Sequence, residues 1–97
     1  MDLSIIIPIY NGALLVDRCL DNIFSQSTQF SYEVIIVDDG STDNTVELIK
    51  ARKEPNIVLY QQQNAGPAVA RNKGVELAKG KYVAFMDADD YLSLIHI

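Results

Sequence analysis

Carboxylates crowd two short stretches of the chain, Asp38 and Asp39 in VIIVDDGSTD and Asp87, Asp89 and Asp90 in FMDADD. Two ionised carboxylates about 4 Å apart repel by roughly 4 kcal/mol at an effective dielectric of 20, so such a group either protonates or holds a cation. A hard, oxygen-seeking ion such as Mg2+ or Mn2+ is the simplest counter-charge, and it would in turn draw phosphate oxygens. A lone D-x-D has a bland explanation as well, because Asp is common in turns and at strand ends. The apolar run that precedes this one strengthens the metal reading.

The elements that must position these groups follow from periodicity. Leu3 to Ile7, Val34 to Val37, Ile57 to Tyr60 and Tyr82 to Met86 are short apolar runs rich in β-branched and aromatic residues and are expected to be strands. The first two are apolar at nearly every position, as a parallel strand covered on both faces requires. Between them, Val16, Cys19, Leu20, Ile23 and Phe24 share one helical stripe, which makes Cys19 a core residue. A second helix is expected after GSTDNT, with Ser41 or Thr42 as its cap, Asp43 in its first turn, and Val46 and Ile49 inward. A third places Ala70, Gly74, Leu77 and Ala78 on one face, with Gly80 as its stop. The order is βαβαβαβ, an α/β fold with an open, doubly wound, mainly parallel sheet joined by right-handed crossovers. Ligands of such sheets bind beyond the carboxyl ends of the strands, here PIYNG, DDGSTD, QQQNAG and DADD.

Ninety-seven residues fit one small domain or part of a larger one. With a net charge of −5 and only eight Lys and Arg, none in a basic run, duplex nucleic acid is excluded as a natural partner. One cysteine forms no internal disulfide, no apolar stretch reaches membrane-spanning length, and the start lacks the basic region of a signal peptide. A cytoplasmic location is expected. GxGxxG after the first strand and GxxxxGK[ST] are both missing, which disfavours a dinucleotide dehydrogenase and a P-loop NTPase.

The stretches SIIIPIYNGALLVDRCLDNIFSQS, EVIIVDDGSTDNTVELI and NAGPAVARNKGVELAKGKYVAFMDADDYL together resemble the N-terminal, nucleotide-binding half of a family 2 glycosyltransferase of the GT-A fold, over residues 3 to about 92. The resemblance implies transfer of a sugar, with inversion, from a nucleotide diphosphate sugar to an acceptor hydroxyl. It puts Pro8, Ile9 and Tyr10 in the nucleotide pocket, Tyr10 near the base, and makes Asp39 the acceptor of a hydrogen bond from uracil. It sets Arg71 near the nucleotide, with Asn64 and Gly66 shaping the loop before it. Asp87 is implied beside ribose and metal, and Asp89 as ligand of the Mn2+ or Mg2+ that bridges the diphosphate. Asp38 is expected to brace the loop before the second helix rather than touch ligand. His96 has no companion ligand and is given no role.

The general base of the family lies beyond D-x-D, so no catalytic residue is expected in this chain. The acceptor, a saccharide, lipid-linked intermediate or protein, stays open, as does peripheral membrane association of the parent protein. Residues 1–92 are read as the incomplete donor-binding part and residues 93–97 as a non-native tail. LSLIHI resembles the translation of a transposon end used in DNA library preparation, an idea that the same codons and a stop in unfragmented source DNA would refute. Two rival readings are a receiver-like signalling domain and a non-catalytic Mg2+- or nucleotide-binding module. The receiver needs its acidic pair after the first strand, where PIYNG stands.

Overall fold

The computed structural model of the chain describes residues 1–25 and 31–87. Its elements are β1 (Leu3–Ile9), α1 (Val16–Phe24), β2 (Tyr32–Asp38), α2 (Thr45–Lys50), β3 (Ile57–Gln61), α3 (Pro67–Leu77) and β4 (Tyr82–Phe85). All strand pairs are parallel and the sheet order is β3-β2-β1-β4, so the expected α/β architecture is present. The chain passes outward from β1 through β2 to β3, then returns across the sheet to lay β4 on the other side of β1. That reversal makes β1 the topological switch point, where open α/β sheets bind ligands.

Side chains alternate across a strand, so the apolar runs of β1 and β2 feed two cores. Leu3, Ile5, Ile7 and Ile9 of β1 join Val34 and Ile36 of β2 against Val16, Cys19, Leu20 and Ile23 of α1 and Ile49 of α2. On the opposite face Ile6, Ile35 and Val37 pack on Ala70 of α3, with half-buried Tyr60, Leu77, Ala78 and Val83 around them. Helix α3 lies close on this face because Gly74 has no side chain: a Cβ there would run into the Ile6 side chain. Cys19 is buried in the first core, as its helical position required.

Pro8 explains where the sheet opens. Strand β1 continues through it to Ile9, two residues beyond the expected end, because its pairing with β2 runs to Ile9↔Asp38. In a parallel ladder, alternate residues direct N–H and C=O to the same neighbour. The Ile6 carbonyl accepts from Met86 on the β4 side, so Pro8, two residues on, faces β4 as well and has no N–H to offer. Pairing of β1 with β4 ends at Ile6↔Phe85, and the strands part there.

Three local expectations are corrected. Ser41 and Thr42 do not cap α2: its N-cap position is Asn44, without a side-chain bond, and Asp43 instead accepts from the Thr45 backbone and hydroxyl. Ser41 is drawn away because its hydroxyl donates to Asp38 and accepts from Asn11 N–H. Val46 is only half-buried, the inward positions of this short helix being Thr45 and Ile49. Helix α3 stops at Leu77 with Ala78 already extended, ahead of Gly80. Gly80 serves a close approach instead, since a Cβ would sit 2.6 Å from the backbone carbon of Leu3.

Two polar devices hold the frame. At the amino end of the sheet, buried Glu33 accepts from the Ser4 hydroxyl at 2.6 Å and the Lys79 N–H at 2.7 Å, while Ser4 accepts from Gly80 N–H. On the flank, Arg52 pairs with Asp17 and Asp21 of α1 and with Glu54, and its guanidinium lies 5.9 Å from the centre of the Phe24 ring. Its pKa is raised further above the ordinary range, chiefly by the Glu54 hydrogen bond.

Candidate functional site

The carboxyl ends of β1 and β2 are tied into one rigid rim. Asn11 adopts a left-handed φ of 49°, a conformation that Asn tolerates better than most residues. Its side-chain oxygen accepts from Thr42 N–H at 2.7 Å and Asp43 N–H at 3.3 Å, and its own N–H donates to the Ser41 hydroxyl. Asp43 closes the link by accepting from Ala13 N–H just before α1. The Thr45 hydroxyl bond, followed by the Thr45 and Ala13 backbone N–H groups, holds the Asp43 carboxyl below the usual carboxylate range against the cost of burial.

Asp38 and Asp39 point into the protein. Asp38 accepts from the Ser41 hydroxyl at 2.5 Å and Ser41 N–H at 3.0 Å, the bracing role expected of it. Asp39 lies at the start of α3, its Oδ1 accepting from Gln62 Nε2 at 2.9 Å and Ala65 N–H at 2.7 Å, and its Oδ2 from Gly66 N–H at 3.0 Å. The Gln62 bond is the main cause that holds its carboxyl below the ordinary range, with the two backbone donors adding to it against the opposing cost of burial. Anions are favoured at a helix N-terminus, where N–H groups lack intrahelical partners. Asn64 completes the loop by donating to the Asp39 carbonyl, and its backbone nitrogen would lie 2.9 Å from a Cβ on Gly40. Gly40 has φ of 82°, so two reasons require glycine there.

A pocket of about 210 Å³ opens between the ends of β1 and β4 and the first turn of α3, lined by Pro8, Ile9, Tyr10, Asp39, Pro67, Ala70 and Asp87. The structure thus brings together Pro8, Ile9, Tyr10, Asp39 and Asp87 as candidate site residues. Tyr10 is about half exposed at the rim. Arg71 does not line the cavity, but its Nη2 lies 3.6 Å from Asp87 Oδ1, an ion pair beside the opening. Asp89, Asp90, His96 and the 93–97 tail lie outside the described residues. Among the described residues no group of three His, Cys, Asp or Glu side chains gathers to hold a metal. Of the acidic side chains at this end, Asp38 and Asp39 each accept from protein donors, and Asp87, with 57% of its side chain exposed, is turned outward.

Pro67 and Ala70 were missed in the sequence reading, as were Asn11 and Gln62. A signal existed for two of them: Asn-Gly is a turn dipeptide, and Pro after Gly66 fits the first position of a helix. Ala70 looks like any core helix residue, and Gln62 is hidden in a run of three glutamines.

Comparison with known proteins bears on the identity of this site. The glycosyltransferase YibD of Escherichia coli K12, itself uncharacterised, is 51% identical over 90 residues, covering 91% of this chain and 26% of that protein. The structure of Staphylococcus aureus TarS residues 1–349 in complex with UDP-GlcNAc superimposes with a TM-score of 0.84 at 36% identity, covering 94% of this chain and 27% of the other. Mannosyltransferase PcManGT of Pyrobaculum calidifontis, solved with GDP-Man and Mn2+, gives a TM-score of 0.83 at 34% identity over 90% of this chain and 27% of its own. The chain therefore spans about a quarter of the length of these relatives. Their likeness in both sequence and fold identifies the chain as a donor-binding fragment of the GT-A fold. The family profile described as glycosyl transferase family 2 matches residues 4–94, and the chain belongs to that family.

Proposed function

We propose that the chain is the donor-binding part of an inverting glycosyltransferase that takes a nucleotide diphosphate sugar, UDP-linked by preference, and passes the sugar to an acceptor hydroxyl. The observation that carries this reading is the convergence of Tyr10, Asp39 and Asp87 on one pocket at the switch point. Uracil and guanine, the bases of the UDP-GlcNAc and GDP-Man complexes of the relatives, both present a ring N–H, which suits an acceptor such as Asp39. Tyr10 supplies an exposed aromatic face at the rim for the base.

Mn2+ or Mg2+ fits the donor set at the other side of the pocket, since Asp87 is an outward hard oxygen ligand with Asp89 two residues on. When bound there, the ion supplies charge stabilisation to the departing diphosphate. Arg71, already beside Asp87, adds positive charge at the same place. No described residue at the pocket stands ready as a general base for the acceptor, because Asp39 is held as an acceptor of protein hydrogen bonds and Asp87 is committed to the donor side. We infer that the 97-residue chain binds donor nucleotide without transferring sugar. Acceptor choice, whether saccharide, lipid-linked intermediate or protein, then belongs to parts of the protein beyond this chain. Among the described residues no helix is long and apolar enough to cross a membrane. The proposed setting is cytoplasmic, where nucleotide sugars are the donors.

Titration of UDP into the chain with and without Mn2+ tests the reading. Saturable binding that strengthens with metal and is lost in Asp89→Ala supports it; no binding under either condition points to an inert module. Metal-dependent glycosyl transfer by the purified chain would overturn the claim that it lacks a base.

A further inference from the structure

The mechanism proposed so far uses Asp39 and leaves Gln62 unused. Gln62 follows β3, and its backbone N–H donates to the Asp38 carbonyl at 2.9 Å, which fixes the residue independently of its side chain. The side chain then reaches Asp39, donating from Nε2 to Oδ1 at 2.9 Å. A carboxylate only accepts, so the amide must turn its NH2 inward, and the orientation is forced by chemistry. Oδ1 receives both Gln62 and Ala65, whereas Oδ2 receives only Gly66 among the described residues. An ionised carboxylate has roughly four acceptor positions, so the remaining capacity is on Oδ2, on a residue that lines the pocket.

Resting on the nucleotide reading above, we infer that Gln62 is a positioning residue for base selection: its amide holds the Asp39 carboxylate in place at the pocket, so that the remaining acceptor position meets a base with a ring N–H and not cytosine. Cytosine offers a bare ring nitrogen where uracil has N–H, and two acceptors facing each other cannot bond. Loss of Gln62 removes the side-chain donor that fixes Oδ1 and leaves the carboxylate held by Ala65 and Gly66 N–H alone. The other ionisable groups at this site are Tyr10 after β1, Asp38 immediately before Asp39, Asp87 after β4 and Arg71 on α3. Asp38 is occupied by Ser41, and Arg71 is engaged with Asp87, which leaves Gln62 as the described side chain that bonds the Asp39 carboxylate.

The test measures UDP and CDP affinity by calorimetry between pH 5 and 8, together with the Asp39 carboxyl titration by carbon NMR. It compares the native chain with Gln62→Leu, which removes the donor, and Gln62→Lys, which keeps one. The native chain should favour UDP at least roughly tenfold, the worth of one charge-assisted hydrogen bond. In Gln62→Leu the Asp39 midpoint should move up and the UDP to CDP ratio fall towards one as the carboxylate loses its fixed orientation, while Gln62→Lys retains both. Gln62→Met takes the place of Gln62→Leu if that variant melts early. Native selectivity in the donor-less variant, with an unmoved Asp39 midpoint, overturns the inference alone. Failure of the native chain to bind either nucleotide overturns the nucleotide reading, and base selection by Gln62 falls with it.

Discussion

The two acidic strand ends of this chain look alike in sequence and differ in use. After β2, Asp38 and Asp39 are 2% and 5% exposed, Asp38 accepting from Ser41 in the loop that follows and Asp39 from Gln62, Ala65 and Gly66 between β3 and α3. After β4, Asp87 stands outward with Arg71 at 3.6 Å. A buried carboxylate is tolerable when backbone and amide donors satisfy it, and it then behaves as a fixed part of the frame. An exposed one whose partner is a distant guanidinium is free to exchange that partner for a cation. The negative charge after β2 is therefore met by protein donors, and Asp87 after β4 is the described carboxylate on which the proposed metal site rests.

Breaking the inward pair should have the largest effect on stability. Asp38→Ala removes the acceptor of both Ser41 donors inside the protein and should cost about 3 kcal/mol, read from urea unfolding. Next comes Gly74→Ala, which forces a methyl group against Ile6 beneath α3 and should cost about 1–3 kcal/mol in the same assay while leaving both acidic ends untouched. If it cost as little as a surface change, the close packing of α3 on β1 would be wrong.

Acid sharpens the contrast. Asp39, Asp43 and Glu54 have folded pKa values below their ordinary ones, owing first to Gln62, Thr45 and Arg52 respectively. A lowered carboxylate pKa contributes stability that is fully present above the unfolded value and is lost as pH falls through the folded one. Thermal midpoints should therefore hold steady from neutrality down to roughly pH 5 and drop below roughly pH 4. A fall that begins near pH 6 would implicate groups other than these three. The smallest stability effect belongs to the outward end: Asp87→Ala breaks one exposed ion pair and should change stability by less than about 1 kcal/mol.

Much of the fold was legible because periodicity reports burial. Strands β1 and β2 are apolar on both faces, and the structure covers both, with α1 and α2 on one side and α3 on the other. Of the helical stripe of Val16, Cys19, Leu20, Ile23 and Phe24, the first four are the buried face of α1 and Phe24 is half-buried at its edge. What pattern cannot carry is the competition for donors. Ser41 has the residue type of a cap, yet its hydroxyl donates to Asp38 and accepts from Asn11 N–H, and the Thr45 N–H at the start of α2 is met by Asp43. Asn11 and Gln62 hold the rim through contacts 23 to 32 residues away in sequence, which no local window contains. The resemblance of PIYN, DDGS, NAGPAVARN and DADD to a known family supplied the pocket residues, and the geometry adds which carboxylate faces which way. Pro8 read only as a break in an apolar run; paired on one side alone, it is what parts β1 from β4 at the pocket.

The most direct test of the outward end as a cation and diphosphate site is calorimetric titration of Mn2+ into the chain saturated with UDP, repeated with Asp87→Asn. The account predicts one metal site that is greatly weakened in the variant while its melting midpoint stays near native. Metal binding of equal strength in both chains, or none in either, would contradict it.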